Sequence, residues 1–315
     1  MKKNLENFPN QCKEALALGK GIKIDNINKI VISGIGGSAF AGDVLKAIVN
    51  EEIEITVNRD YYLPKSIDSQ TLVFSVSYSG NTEETLYSAE EALAKGCKII
   101  GISSDGELEK FCITNNLPYV RVPSGVEPRN ALGYLSLPLI RILEENNIIN
   151  RIKLENIPKD LKNNQIKRKA KQIANLLFKT IPLIYSSERF KCLSYGWKTR
   201  LNENTKIHAF ANQIPELDHN ELVGYTKKIG NFFTLIIRDK DDLIRNKKRF
   251  DITKKLIEKY KSKCLIVDTI GTNLASRVFC TLYLADWVSY CLALKYGIDP
   301  GPVKIIEYLK SELNK

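Results

Sequence analysis

The sequence predicts an α/β protein of two domains, each a parallel sheet with helices on both faces. Three observations carry that expectation. Short runs rich in Val, Ile and Phe alternate with helical patterns along the chain, the order that builds parallel sheets. The alternation occurs twice, interrupted by a polar run over 144–162 that contains Asn146, Asn147, Asn150 and Pro158. With 315 residues the chain is long enough for two cores of ordinary size, and the expected domains are 1–150 and 151–315.

After an opening helix, 29–33 reads as a strand running into Gly34-Ile35-Gly36-Gly37-Ser38, and 39–49 as a helix. Gly34, Gly36 and Ala39 fit the G-x-G-x-x-A dinucleotide pattern. A nicotinamide site also wants an acid at the end of the next strand, but that strand, 54–57, ends in Asn58-Arg59. No dinucleotide or other cofactor is expected, and Gly37-Ser38 instead sets a hydroxyl beside the glycine turn.

The strand 72–76 leads into Ser77-Tyr78-Ser79-Gly80-Asn81-Thr82 and a helix over 83–95. A helix N-terminus carries unpaired N–H groups and partial positive charge, so hydroxyls set before it suit a phosphate. Ordinary capping is the competing reading, since Ser and Thr precede many helices. Three hydroxyls within six residues, with Gly80 allowing close backbone approach, exceed what one cap needs. Strands over 98–102 and 119–122 follow, then a helix over 131–146. In open parallel sheets ligands lie beyond the carboxyl ends of the strands, where both Gly37-Ser38 and 77–82 fall. The two loops are therefore expected to share one crevice.

The second half reads as a helix over 163–179, a strand over 182–185, a helix over 190–200 and a strand over 207–210. A strand over 232–237, a helix over 244–260 and a strand over 264–267 follow. A long helix from 272 and a terminal one from 303 close the chain. Two β/α halves of similar size imply a duplication, although no residue-level repeat is visible.

Composition narrows the function classes. At 43% hydrophobic and 26% charged, the chain reads as soluble and globular. Its net charge of +11 is scattered, and the densest basic runs, 167–171 and 245–249, lie on helical patterns as solvated faces. The charge favours small anionic substrates, with no nucleic-acid partner expected. Seven cysteines without a CxxC pair point to a reducing, cytoplasmic setting. Two histidines without HxH or HxxxH spacing give no metal site. The N-terminus lacks the apolar core of a secretory leader. The most apolar segment, 278–294, carries Asp286 at its middle and reads as a buried helix rather than a membrane span.

With GIGGS at 34–38 and SYSGNTEET at 77–85, the chain resembles the sugar isomerase (SIS) superfamily. PRNALGYL at 128–135, NENTK at 202–206, PELDHNELVGY at 215–225 and DPGPVKIIEYLK at 299–310 sharpen this. Together they make it similar to the bifunctional phosphoglucose/phosphomannose isomerases. The resemblance implies two SIS-type domains and interconversion of glucose 6-phosphate and mannose 6-phosphate with fructose 6-phosphate. A sugar-phosphate-binding SIS module without turnover is the alternative; it would need the hydroxyl loops alone.

Aldose–ketose interconversion requires a ring to open, a proton to move between C2 and C1, and an enediolate to be stabilised. Glu203, between two asparagines, can serve as the base; otherwise it is a surface Glu beside a helix end. His219 exchanges a proton near neutral pH and suits ring opening; otherwise it neighbours a cap or is a satisfied buried His. Arg129 offers a fixed positive charge, or else a structural ion pair. Lys310 could reach sugar hydroxyls, or simply be solvated near the terminus. The resemblance assigns phosphate binding to Ser38, Ser77, Ser79 and Thr82, with Gly37 beside them. It assigns the enediolate contact to Arg129, the base to Glu203, and ring opening to His219 with Lys310. It also implies a homodimer in which His219 serves the neighbouring subunit's site. One departure stands out: Gly301, before Pro302, occupies a place where a hydroxyl residue is expected.

Overall fold

A computed structural model of the chain describes every residue except 50–52, 228 and 314–315. By internal contacts it divides into two compact units. The first comprises Glu6–Lys162 with Gly271–Ser276, and the second Met1–Leu5, Asn163–Ile270 and Arg277–Lys315. Both units carry wholly parallel sheets flanked by helices, the architecture expected from the alternation of patterns, although β2 and β3 are joined by a loop and β7 and β8 by 3-10 turns.

The elements of the first half are α1 (Lys2–Ala15), β1 (Lys29–Ser33), α2 (Gly37–Ile48), β2 (Glu54–Asn58), β3 (Thr71–Val76), α3 (Glu83–Ala94), β4 (Lys98–Ser103), α4 (Glu107–Thr114), β5 (Tyr119–Arg121), α5 (Leu132–Glu145) and α6 (Ile157–Asp160). Their sheet runs β2-β1-β3-β4-β5. Every residue of β3 is buried, which explains why its sequence is mostly apolar and shows no alternation: a strand covered on both faces has no solvent side to make polar. Val31 of β1 lies opposite Val73 of β3, and the register carries Ser33 and Ser75 together to the carboxyl end.

The second half contributes α7 (Asn164–Leu177), β6 (Ile181–Ser187), α8 (Lys191–Thr205), β7 (Phe210–Ile214), β8 (Phe232–Arg238), α9 (Ile244–Lys259), β9 (Lys263–Asp268), α10 (Leu274–Tyr296) and α11 (Lys304–Leu313). Their sheet runs β7-β6-β8-β9. This repeats the order β2-β1-β3-β4, with β6 in the place of β1 and β8 in that of β3.

Three local expectations are corrected. The strand expected at 207–210 lies at Phe210–Ile214. Lys206 ends the preceding helix in the left-handed conformation (φ 59°) and the chain needs several residues to turn. As an edge strand β7 also tolerates Asn212 and Gln213, which do not look like a strand. Helix α8 extends to Thr205, past the expected end at 200, because its last turn is held from the side by α10. Helix α4, eight residues long, went unforeseen because it buries only Leu108 and Cys112 and so shows little periodicity.

Helix α10 is long and apolar enough to cross a membrane by length and composition, yet 78% of its apolar window is buried inside the protein. Its central Asp286 accepts from Arg200 Nε at 2.7 Å, so the charge inside the apolar run is paired within the second unit.

Candidate functional site

In the first unit, the loops after β1 and β3 meet as expected. Ser38 opens α2 and is 6% exposed, and its Oγ accepts the Tyr78 N–H at 3.2 Å. Ser77 and Thr82 share a hydrogen bond between hydroxyls at 2.8 Å, and Ser79 Oγ accepts the Asn81 N–H at 3.3 Å. Thr82 stands at the N-cap of α3 but makes no side-chain cap bond; its hydroxyl is turned to Ser77 instead. Gly80 adopts φ 71°, and a Cβ there would stand 1.7 Å from the Asp105 carbonyl oxygen, so only glycine fits.

Arg129 belongs to the same unit, in a single 3-10 turn, Pro128–Asn130. The absent side chain of Gly37 lets that turn approach: a Cβ on Gly37 would meet the Pro128 carbonyl oxygen at 3.0 Å. Gln11 Nε2 donates to the Asn130 carbonyl at 2.9 Å, and Asn130 Nδ2 to Glu127 Oε2 at 2.8 Å. Burial pushes the Glu127 carboxyl up, but the Asn130 amide and the Arg129 guanidinium outweigh it and hold the group below the usual range. Arg129 therefore rides on a turn tied at both ends, half-buried, beside the hydroxyl loops.

The corresponding loop of the second unit, after β8, is closed by its own charges. Asp239 accepts from Arg277 Nε at 2.7 Å and from Thr269 Oγ1 at 2.7 Å. Asp242 accepts the Asp239 N–H at 2.6 Å and the Ser187 hydroxyl. An internal carboxylate thus fills the strand ends where the first unit carries Ser38, Ser77 and Thr82.

Glu203 lies in the last turn of α8. Trp197 Nε1 donates to the Thr281 carbonyl at 3.1 Å, Arg200 Nε to Asp286 at 2.7 Å, and Asn204 Nδ2 to Ser289 Oγ at 2.9 Å. These residues form the face fastened to α10, and Glu203 flanks it, half-buried. The amides of its neighbours hold the helix end: Asn202 donates to the Ile207 carbonyl at 2.9 Å, Asn204 to Ser289. Beside Glu203 opens a cavity of about 430 Å³, lined also by Asn202, Lys206, Asp299, Pro302 and the start of α11. That volume falls in the range of small-molecule sites. Lys206 and Asp299 were not singled out from the sequence, and Asn202 was noted only as one of the two asparagines beside Glu203.

His219 ends a 3-10 turn, Glu216–His219, and is exposed; it is not among the residues lining this cavity. Lys310 is exposed on α11, six residues beyond Lys304 at the cavity wall, and does not line it either. Gly301 donates its N–H to Asp299 Oδ1 at 2.9 Å, and a Cβ on it would approach that oxygen to 3.3 Å. Among the described residues no group of three or more His, Cys, Asp or Glu side chains gathers as a metal would require. The structure thus assembles Gly37, Ser38, Ser77, Ser79, Thr82 and Arg129 in the first unit, and carries Glu203, His219 and Lys310 on the second.

A model of the SIS domain matches residues 23–115, and one described as the bacterial phospho-glucose isomerase C-terminal SIS domain matches residues 166–313. A bifunctional phosphoglucose/phosphomannose isomerase of Caldicellulosiruptor bescii is 38% identical, across 99% of this chain and 98% of its own. The chain belongs to the bifunctional phosphoglucose/phosphomannose isomerase family. The family's Aquifex aeolicus member is 37% identical over 91% of this chain and 90% of its own length. The double-SIS fold is shared more widely. The C-terminal domain of glucosamine-fructose-6-phosphate aminotransferase from Francisella tularensis superposes with a TM-score of 0.73 at 18% identity, over 95% of this chain and 97% of that one.

Proposed function

We propose that the protein interconverts fructose 6-phosphate with glucose 6-phosphate and mannose 6-phosphate through an enediolate. The observation that carries this reading is the pairing of two features within a chain of this family. One is a hydroxyl crevice at the carboxyl ends of β1 and β3; the other is a carboxylate, Glu203, on the wall of a sugar-sized cavity. Thr82 supports phosphate binding over capping, because its hydroxyl bonds Ser77 and leaves the first N–H groups of α3 without a side-chain cap. In this reading Ser38, Ser77, Ser79 and Thr82, beside Gly37, hold the 6-phosphate.

Glu203 takes the C2 proton and returns it at C1, and Arg129 faces the enediolate oxygens with a positive charge. His219 and Lys310 open the ring. The protein acts as a cytoplasmic homodimer, with His219 serving the partner's site. Two observations support that assembly. His219 is exposed and absent from the cavity beside its own Glu203. Helix α11 leaves apolar side chains uncovered, with Ile305 81%, Tyr308 64% and Leu309 58% exposed, as a surface that another copy covers would be.

Purified protein incubated with fructose 6-phosphate and followed by NMR tests the reading. Both aldose 6-phosphates should accumulate, since a planar C2 can be reprotonated on either face after rotation about C2–C3. Appearance of one aldose alone after long incubation would reduce the protein to a single-substrate isomerase, and no turnover would leave a binding module.

A further inference from the structure

His219 is an exposed residue on a platform fixed from both sides, and that contrast has a chemical use. Before it, Leu217 is fully buried and Asp218 is pinned to α9, accepting from Thr253 Oγ1 at 2.9 Å and Arg249 Nη1 at 3.2 Å. After it, Asn220 Oδ1 accepts the Glu221 N–H at 2.5 Å, and Asn220 Nδ2 donates to Glu216 Oε1 at 2.9 Å. Glu221 reaches inward to two strands: Oε1 accepts from Tyr185 of β6 and Oε2 from Asn212 of β7, each at 2.5 Å.

The chain of hydroxyls behind Glu221 has a single possible polarity. Tyr185 is fully buried and has one proton, which it gives to Glu221. Its 2.8 Å contact with the Tyr225 hydroxyl must therefore be accepted from Tyr225. Tyr225, its proton spent, must accept from Thr234 Oγ1 of β8 at 2.7 Å. Three hydroxyls on β8, the 221–226 segment and β6 thus point in series toward one carboxylate, an arrangement in which each bond polarises the next. A half-buried carboxylate held by these donors is costly unless the network stays whole, so the segment has little freedom to shift.

We infer that Glu221, held by Tyr185 and Asn212, is a positioning residue for His219. The inference rests on the isomerase reading, in which the imidazole opens the sugar ring and must meet the ring oxygen with its donor aligned. Misplacement of a catalytic group by about 1 Å can cost about 10²-fold in rate, and an exposed turn without such fastening would wander by more.

The test is a double-mutant cycle on the full-length protein. Glu221→Gln places an amide where both Tyr185 and Asn212 donate, and it reverses one hydrogen bond whichever way it turns. Turnover of fructose 6-phosphate should fall about 10²-fold with KM within about threefold, and Tyr185→Phe, the gentler change, should fall less in the same pattern. In a His219→Ala background, where only the open-chain fraction of the sugar reacts, Glu221→Gln should cost nothing further. A second, activity-independent measurement is amide hydrogen exchange over 216–226, which should accelerate at least about tenfold in Glu221→Gln. Unchanged kcat in Glu221→Gln, an equal loss in the His219→Ala background, or unchanged exchange would each overturn the inference. A wild-type protein that does not turn over fructose 6-phosphate defeats the isomerase reading instead, and the exchange measurement still decides the clamp.

Discussion

The Tyr78 backbone N–H donates to Ser38 Oγ at 3.2 Å, joining two segments that lie forty positions apart in the chain. This bond fixes the loop after β3 to the head of α2, so the hydroxyls of both arrive at one place already oriented. Ser38→Ala removes the acceptor from a buried N–H as well as a proposed phosphate ligand. Stability should fall by about 1–3 kcal/mol in chemical denaturation, and KM for fructose 6-phosphate should rise at least about tenfold with a smaller change in kcat.

Gly80→Ala is expected to be worse than any single hydroxyl deletion. The residue sits at φ 71° and its new Cβ would collide with the Asp105 carbonyl oxygen, so backbone must move on one side or the other. Thermal denaturation should show a loss of at least about 2 kcal/mol, and phosphorylated ligands should no longer raise the melting temperature.

Much of this arrangement was legible in the sequence because the central strands are covered on both faces. The runs around Phe74 and Leu235 are mostly apolar, broken only by Ser75 and Thr234, and the glycines and hydroxyls that end β1 and β3 are local signals. The edge strand β7 was misplaced by several residues because Asn212 and Gln213 carry no such signal; Asn212 is there to hold Glu221. That bond between β7 and the 221–226 segment, like the long-range bonds of Arg200 and Asn204 to α10, joins residues whose proximity the fold creates. Helix α8 is only weakly periodic, because its buried face carries Arg200, Asn204 and Thr205, so the sequence does not show that this face fixes Glu203.

The charge cluster of the second unit gives a stability prediction independent of activity. Arg277 is 3% exposed and holds Asp239, itself 1% exposed, through two nitrogens at 2.7 and 3.0 Å. Burial raises the Asp239 carboxyl, but the Arg277 guanidinium and other donors outweigh it and keep the group below the usual carboxylate range. Arg277→Ala strands a buried carboxylate, and urea denaturation should show a loss of about 3–5 kcal/mol. The double change Arg277→Leu with Asp239→Leu should lose less than Arg277→Ala, since the one carboxylate it deprives of Arg277, Asp241, is exposed rather than buried.

Burial also pushes three acids upward: Cys112 to about 11, and Cys264 and Tyr225 to about 12. Each is neutral when protonated, and each loses its proton more readily in the unfolded chain. As pH rises past the unfolded values, about 8.5 for Cys and 10 for Tyr, the unfolded state binds fewer protons than the folded one, and stability falls. The contribution is fully present below about pH 8 and is lost progressively toward pH 12. Melting temperature followed from pH 7 to 11 should decline from about pH 8.5 upward. Cys112→Ala with Cys264→Ala should flatten the first part of that decline; an unaltered slope would locate the alkaline sensitivity elsewhere.

The proposed sharing of the site makes the strongest demand on the proposed assembly. His219 follows Glu203 by sixteen positions and is separated from it by β7 and the cis Ile214–Pro215 turn. In an isologous dimer each subunit's His219 completes the site that holds the other's Glu203. Glu203→Gln should lower turnover about 10²-fold or more while inhibitor binding persists, and His219→Ala should also be severely impaired. When the two variants are unfolded and refolded together, about half of the dimers are mixed, and each mixed dimer contains one site with both native residues. Activity should return to about a quarter of wild type. If Glu203 and His219 act within one chain, no site in the mixture is native, and activity stays at the level of the variants alone. Native mass spectrometry on the refolded sample shows whether mixed dimers are present, so a silent mixture that contains them would refute the lent histidine.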